Sequence, residues 1–223
     1  MNAFAILPPR PRRVPLALKL IYTGFVAVLI PVYWINYGPT NFLYFCDVAV
    51  LLTLAGVWTE SALLFSLPAV GILLPQMLWC LDFGVHLAGG HLTGMTDYMF
   101  DPHRSLLLRG LSLFHGWLPF LLFYLVRHLG YDRRALRGWS LITVGLCLIA
   151  YFFLPAAGSV LPNPKIPRNI NYVFGFDDAR PQGWLPPLAY LGAWIAALVG
   201  LVFVPTHWLL RRTCPAAIDR TAD

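Results

Sequence analysis

The sequence predicts an all-α protein that crosses a membrane as a bundle of about six helices. Of its 223 residues, 58% are hydrophobic and only 12% are charged, and the mean hydropathy is +0.66. A soluble domain of this size carries roughly twice that share of charged residues. The apolar stretches are continuous, whereas the strands of a transmembrane β-barrel alternate in polarity. We therefore expect a single helical membrane domain.

Six stretches are candidates for spanning helices, which need about 20 mostly apolar residues each. They are 15–37, 41–58, 62–89, 105–127, 139–158 and 187–210. The first is long enough to remain as a span, so we expect no cleavable signal peptide. This interpretation gives one transmembrane domain over 15–211, with an N-terminal tail at 1–14 and a C-terminal tail at 212–223.

The distribution of basic residues predicts the orientation of the bundle. Eleven of the 16 basic residues flank the predicted spans on one side: Arg10, Arg12, Arg13, Lys19, Arg127, Arg133, Arg134, Arg137, Arg211, Arg212 and Arg220. Such an excess is typical of cytoplasmic loops. We therefore expect a multi-pass protein of a bacterial inner membrane with both tails cytoplasmic. The basic residues follow span ends rather than a folded soluble surface, so nucleic-acid binding is not expected.

The longest predicted outer loop, 159–186, is expected to be an ordered cap on the bundle. It contains several prolines and aromatic residues and lacks the Ser/Gly repeats of a flexible linker. Long ordered loops are often functional. Its position between the last two spans would place it over the outer half of the bundle.

Five ionisable side chains lie within the outer halves of the predicted spans: Asp47, Asp82, His86, Arg109 and His115. Such residues usually face the interior of a bundle and mark functional sites. Asp82 and His86 are four residues apart and share a helix face. They could form an acid–base pair, or a contact that only fixes helix packing. Arg109 could hold a phosphate or carboxylate.

The thiol of Cys46, next to Asp47, is the candidate nucleophile. A thiol is activated by a neighbouring base or positive charge, and His115 or His86 could supply one across the bundle. Asp47 would then orient a histidine. The alternative is that Cys46 is a small apolar packing residue. The sequence thus predicts a Cys/His/Asp acyl-transfer site near the level of the lipid head groups.

Neither a metal nor another cofactor is expected. His115 and His128 have a spacing of 13 that resembles one haem-binding pair, but no second helix carries a matching pair. A zinc site needs three or four convergent ligands. The candidates do not form a recognised spacing: His86, His91, Asp97, Asp101 and His103. The four cysteines form no CxxC pair, so a disulfide framework is not expected either.

Three blocks, "NFLYFCDVAVLLTL", "SLFHGWLPFLLFYLVRHLGYDRR" and "INYVFGFDDARPQGWLPP", resemble in the same order the YwaF and transmembrane-protein-164 family of polytopic proteins. "NFLYFCDVAVLLTL" is similar to that family's Leu-His-Leu-Cys segment, with Cys46 at the cysteine and Tyr44 where the histidine would be. "INYVFGFDDARPQGWLPP" resembles its Asn-Tyr block, with matches at Asn171, Tyr172, Pro181 and Trp184. Transmembrane protein 164 is regarded as a phospholipid acyltransferase working through a cysteine, so the resemblance implies that activity.

The second block also resembles the androgen-induced gene 1 hydrolases, which cleave fatty acid esters of hydroxy fatty acids. "SLFHGWLPFLLFYLVRHLGYDRR" matches their segment at His115, Leu118 and Pro119, although their threonine has no clear counterpart here. We expect a lipid acyltransferase or lipid-ester hydrolase with Cys46 as nucleophile and His115 as base. The remaining predicted roles are support by Asp82 and His86, oxyanion stabilisation by Asn171, and substrate binding by Asp47, Arg109, Asn171 and Tyr172.

The rival expectation is a non-catalytic subunit of a larger membrane complex. Trp and Tyr are plentiful and the predicted soluble loops are small, which suits contacts with other membrane proteins or with lipids. Either function gives membrane lipids as partners, and the second adds other membrane subunits.

Overall fold

The computed structural model describes residues 13–163 and 165–217, and it confirms an all-α fold. Apart from one bridge between Tyr131 and Ala216, the regular structure of these residues is helical. The α-helices are α1 (Leu16–Tyr37), α2 (Phe45–Thr59), α3 (Ala62–Leu87), α4 (Leu106–Ser112), α5 (Phe114–Leu129), α6 (Ala135–Phe153), α7 (Pro187–Ala197) and α8 (Val204–Thr213).

Five helical stretches are long and apolar enough to cross a membrane, which is one fewer than the six that we predicted. They are Leu16–Tyr37, Ala62–Leu87, Leu106–Leu129, Ala135–Phe153 and Pro187–Thr213. The stretch predicted over 41–58 contains only the 15-residue α2, preceded by a 3-10 turn at Pro39–Leu43. At 1.5 Å per residue α2 is about 22 Å long, which is shorter than the hydrocarbon core of a bilayer.

Two of the long stretches are interrupted, and one has shifted boundaries. Leu113 separates α4 from α5, and a π-helical segment at Leu198–Phe203 joins α7 to α8. The stretch predicted over 139–158 runs instead over Ala135–Phe153. It ends at Leu154, which is extended, because the following Pro155 restricts its backbone.

Helix α3 is the centre of the bundle. It packs against α2, α5 and α6, and 61% of its span is buried compared with 22% for α1. Close packing with α6 depends on Gly71, because a Cβ atom there would lie 1.9 Å from the indole ring of Trp139. The backbone of α3 therefore approaches α6 more closely than any side chain at this position would allow.

Contacts between helix ends place the two described termini at one end of the bundle. The Nε2 of His128 donates to the carbonyl of Arg13 (3.2 Å), and the amide of Tyr131 donates to the carbonyl of Pro215 (2.7 Å). We call this the basic end, defined by Arg13, Lys19, Glu60, Arg127, His128, Arg133, Arg134, Arg211 and Arg212. The opposite end, here the loop end, consists of residues 38–47, 82–115, 154–163 and 165–186.

Candidate functional site

Asp82 organises the loop that follows α3. Its side chain is buried, with 1% exposure. One carboxylate oxygen accepts from the amide and hydroxyl of Thr93 (2.6 and 2.8 Å) and from the amide of Gly94 (3.3 Å). The other accepts from the amide and hydroxyl of Thr96 (2.9 and 2.6 Å). These five donors occupy both oxygens, so Asp82 fastens residues 93–96 onto the end of α3.

His86 contacts a different carboxylate from the predicted one. Its Nδ1 lies 3.4 Å from an oxygen of Asp97, and the Nε2 of His91 lies 3.5 Å from the other oxygen. The imidazole of His86 also stacks on Phe100, with 3.8 Å between ring centroids. The shared helix face of Asp82 and His86 therefore does not produce a pair, because each side chain contacts the loop instead.

Cys46 and Asp47 lie in the first turn of α2, where a carboxylate is favoured by the helix dipole. The Sγ of Cys46 donates to Oδ2 of Asp47 at 3.7 Å, and the side-chain amide of Asn41 donates to the same oxygen at 3.3 Å. Asp47 is 4% exposed, and its Oδ1 has no hydrogen-bond partner among the described residues. A buried carboxylate thus contacts the thiol directly and keeps an unfilled acceptor.

Two hydrogen-bonded pairs of polar side chains contact the surroundings of His115 and of the Cys46–Asp47 pair. Tyr33 and Ser112 share a hydrogen bond of 2.9 Å, and the indole of Trp79 donates to the hydroxyl of Tyr98 at 3.2 Å. Asp47 is near enough to Tyr33, and Cys46 to Tyr98, for electrostatic interaction. Burial raises the pKa of Tyr98, so this phenol is neutral at neutral pH.

His115 lies at the break between α4 and α5. Its Nδ1 donates to the carbonyl of Ser112 (2.8 Å), and the ring stacks on Phe114 with a centroid distance of 4.0 Å. This bond directs the Nε2 lone pair away from the backbone. The thiol of Cys80 lies 3.8 Å from the His115 carbonyl, which Pro119 deprives of its usual helical donor. No direct contact joins Cys46 and His115 within the described chain.

Asn171 attaches the 159–186 segment to the start of α2. Its Oδ1 accepts from the amide of Phe45 (3.0 Å), and its Nδ2 donates to the carbonyl of Leu43 (2.9 Å). The backbones of Asn169, Asn171 and Tyr172 all have positive φ angles, between 52° and 59°. Such strain persists only where surrounding contacts enforce it. Asn171 therefore fixes its part of the segment to the start of α2, beside Cys46 in the chain, and the predicted cap over 159–186 stays a prediction.

Arg104 and Arg109, the two arginines of the segment 82–115, do not pair with Asp47 or Asp82. Arg109 donates to the carbonyl of Met99 (3.3 Å), while its Nε is buried without a partner among the described residues. Arg104, which the sequence did not single out, donates to the hydroxyl of Tyr37 (2.9 Å). Its guanidinium also lies 5.1 Å from the centroid of the Tyr98 ring.

The sequence therefore predicted some of the site residues and missed others. Cys46 contacts Asp47, and Asn171 binds the backbone next to them at Leu43 and Phe45. Asp82, His86 and Arg109 instead contact the loop 88–105. The missed members are polar groups with no distinctive spacing: Tyr33, Asn41, Thr93, Thr96, Tyr98, Arg104 and Ser112. Among residues 13–163 and 165–217, no group of three or more His, Cys, Asp or Glu side chains is arranged to hold a metal ion.

In comparisons with protein-family models, with curated proteins and with solved structures, nothing matches this chain. The two family resemblances therefore stay predictions, and the function must be inferred from the contacts among the described residues.

Proposed function

We propose that this protein transfers or hydrolyses an acyl group of a membrane lipid ester, with Cys46 as the nucleophile and Asp47 as its base. The observation that carries the proposal is the contact between the Cys46 thiol and the buried Asp47 carboxylate (3.7 Å). Nucleophilic catalysis by a thiol needs a base within reach. Asp47 replaces the predicted His115 in this role because it is the base that contacts the thiol.

The proposed reaction has two steps, and Asp47 carries the proton in both. Cys46 gives its proton to Asp47 while its sulfur forms a bond to the ester carbonyl carbon. The carbon–oxygen bond to the alcohol then breaks, and the leaving oxygen takes the proton from Asp47. Water or an acceptor hydroxyl next gives its proton to Asp47 while its oxygen forms a bond to the thioester carbonyl carbon. The carbon–sulfur bond then breaks, the acid or new ester leaves, and the proton on Asp47 returns to the Cys46 sulfur.

The surrounding residues have supporting roles in this proposal. Asn41 holds Asp47 through Oδ2, which leaves Oδ1 for the hydroxyl or water that attacks the thioester. The neutral hydroxyl of Tyr98 would stabilise the oxyanion, because the side-chain amide of Asn171 is engaged with Phe45 and Leu43. Preorganised donors of this kind contribute much of the acceleration in acyl transfer.

We further propose that the protein lies in a bacterial inner membrane with the basic end in the cytoplasm. The support is the positive charge around Arg127, Arg134 and Arg211, which is typical of cytoplasmic segments. An Asn163→Cys variant should then react with an impermeant thiol reagent in intact spheroplasts. Labelling only after the membrane is broken would reverse the orientation.

The activity test is turnover of phospholipids with a labelled acyl chain by the protein in nanodiscs. Cys46→Ala should abolish turnover, and Asp47→Asn should lower it by about 100-fold, as expected for the loss of a general base. The matched control is Cys80→Ala, because Cys80 is a partly buried thiol close to the loop end that donates to the backbone carbonyls of His115 and Gly116. Equal loss in the control, or turnover unchanged by Cys46→Ala, would exclude the proposed nucleophile.

The second candidate is a non-catalytic subunit of a membrane complex. One observation favours it. In each of α1, α6 and the α7–α8 stretch, only 22% of the apolar span is buried inside the protein, so these helices have wide apolar faces that a partner could cover. Purification from native membranes in mild detergent distinguishes the candidates. A stoichiometric protein partner together with absent turnover would favour the subunit, whereas turnover by the isolated chain would exclude a purely structural role.

A further inference from the structure

We infer that Gln76, a glutamine buried in the middle of α3, binds the carbonyl oxygen of the acyl ester and stabilises the negative charge that forms on it. The inference rests on the proposed acyl transfer and adds a residue to it. Gln76 is 3% exposed, and neither its Oε1 nor its Nε2 has a hydrogen-bond partner among residues 13–163 and 165–217. A buried amide without partners is costly, so a group that it binds would account for its place in the bundle.

The side chain of Gln76 does not fasten α3 to another helix. Polar side chains inside membrane bundles usually hydrogen-bond to a neighbouring helix. Tyr33 does so with Ser112 (2.9 Å), and the hydroxyl of Tyr22 donates to the carbonyl of Val50 (3.1 Å). The amide of Gln76 makes no such bond within the described chain. Its donor and its acceptor are therefore both available to a ligand.

The packing of α2 on α3 places Gln76 at the level of Cys46. A Cβ atom at Gly56 would lie 2.8 Å from the ring of Phe65, so these two residues face each other across two antiparallel helices. Eleven residues make about three turns, so a step of eleven along each helix returns to the same face and the same level. From Phe65 this step leads to Gln76, and from Gly56 it leads back to Phe45, next to Cys46.

A second set of contacts connects this face of α3 with the surroundings of Cys46. Trp79 is three residues after Gln76 and shares its face of the helix. The ring of Trp79 stacks on His115, with 5.4 Å between centroids, and its indole donates to the hydroxyl of Tyr98 (3.2 Å). Cys46 is near enough to Tyr98 for electrostatic interaction. Gln76 thus lies one helical turn from the side chain that holds the other proposed oxyanion donor.

The proposed reaction develops negative charge that this arrangement favours. As the Cys46 sulfur bonds to the carbonyl carbon, an electron pair of the carbon–oxygen double bond moves onto the oxygen, and it returns when the alcohol leaves. The Nε2 of Gln76 would donate to this oxygen together with the Tyr98 hydroxyl. The positive end of the α2 dipole lies at the same level and also favours negative charge. Preorganised donors in a buried site are the usual means of stabilising such an oxyanion.

The first test is turnover of labelled phospholipid in nanodiscs by Gln76→Met, which replaces the amide with an apolar side chain of similar size. The value of kcat should fall about 100-fold, the usual effect of losing one oxyanion donor. KM should change little, because the interaction strengthens in the transition state. The melting temperature should be no lower than that of the wild type, because the substitution removes no hydrogen bond within the described chain.

The matched control is the same substitution at the other glutamine of the chain, Gln182→Met. The Nε2 of Gln182 donates to the carbonyl of Leu185 (2.8 Å), and its Oε1 accepts from the amides of Trp184 and Leu185 (3.0 and 2.9 Å). This variant should lower the melting temperature and leave kcat near wild type. Equal losses of kcat in the two variants would overturn the inference, and so would an unchanged kcat in Gln76→Met.

A second measurement does not depend on turnover. In Cys46→Ala, which cannot form the thioester, infrared spectroscopy of one bound phospholipid with ¹³C at its ester carbonyls would detect a hydrogen bond to the carbonyl oxygen as a lowered stretching frequency. Adding Gln76→Met should reduce this shift, whereas adding Gln182→Met should not. A shift that persists without Gln76 would overturn the inference. If the wild type turned over no ester, the proposed function would fail, and the carbonyl band alone would decide for or against Gln76.

Discussion

The two ends of the bundle hold their charged side chains in different ways. At the loop end, Asp82 and Asp47 are buried, with 1% and 4% exposure, and Asp82 accepts five hydrogen bonds. At the basic end, Arg127 and Arg212 are exposed and stack on aromatic rings. Buried charges are costly unless they are fully hydrogen-bonded, whereas exposed ones cost little. The buried carboxylate of Asp82 therefore depends on its five hydrogen-bond donors, whereas the exposed arginines of the basic end do not need such a set of partners.

Within the loop end, the two buried carboxylates differ as well. Both oxygens of Asp82 are occupied by backbone and hydroxyl donors, which is the pattern of a structural group. Asp47 has one contact from an amide, one from a thiol, and an oxygen with no partner in the described chain. An unfilled acceptor on a buried carboxylate calls for an explanation, and we propose that a reacting group of the substrate fills it.

The largest effect on stability is expected for Asp82→Ala. Removing the carboxylate leaves the donors of Thr93 and Thr96 without an acceptor, which should lower the free energy of unfolding by about 3 kcal/mol. Thermal unfolding in detergent would measure this loss, and proteolysis within 88–105 should become faster. Asp101→Ala is the control, because Asp101 accepts only a local bond from the amide of His103 (2.9 Å). Equal destabilisation by the two variants would refute the structural role of Asp82.

A smaller loss is expected for Asn171→Ala at the same end. Its side chain makes two hydrogen bonds to the start of α2, and their removal should cost about 2 kcal/mol. Turnover should fall too, because the cap anchor lies beside Cys46. Asn163→Ala removes a local bond to the amide of Lys165 (3.0 Å) and should leave both quantities near wild type. A stable Asn171→Ala protein would show that the cap needs no such anchor.

The smallest effect is expected at the basic end, for Glu60→Gln. The hydrogen bond from Lys19 lowers the pKa of Glu60 below its ordinary value of 4.5. The pair therefore stabilises the fold above that value, and this contribution is lost as the pH falls through the lowered pKa. We expect a loss of at most about 1 kcal/mol at pH 7, measured by thermal unfolding, that disappears in acid and shrinks in high salt. If Glu60→Gln lowered the free energy of unfolding as much as Asp82→Ala, the proposed difference between the loop end and the basic end would be wrong.

The fold was more predictable than the site, for a physical reason. Long apolar runs specify helices locally, so α1 and α3 were predicted to within about two residues. The partners of Asp82, by contrast, are Thr93 and Thr96, and their approach depends on the three-dimensional path of a polar loop. Asp82 and His86 do lie four residues apart on α3. However, Asp82 accepts from Thr93 and Thr96, and His86 contacts the carboxylate of Asp97, so the two side chains do not pair.

The contact between Cys46 and Asp47 also could not be predicted from residue spacing. Neighbouring residues on a helix point in different directions, so adjacency in the sequence predicts no contact between side chains. Here the pair lies in the first turn of α2, where Asn41 from the preceding 3-10 turn holds the carboxylate towards the thiol. The proposed role of Asp47 thus changed from orienting a histidine to receiving the thiol proton.

The most direct test of the proposed chemistry is to look for an acyl thioester on Cys46. The protein, incubated with a phospholipid and quenched in acid, would be analysed by intact mass and peptide mapping, with and without hydroxylamine, which cleaves thioesters. We predict one added acyl chain on Cys46 that hydroxylamine removes, its absence in Cys46→Ala, a much lower yield in Asp47→Asn, and an unchanged yield in Cys80→Ala. An adduct that forms equally in Asp47→Asn, or the absence of any adduct on Cys46 in an actively turning-over wild type, would contradict catalysis by the Cys46–Asp47 pair.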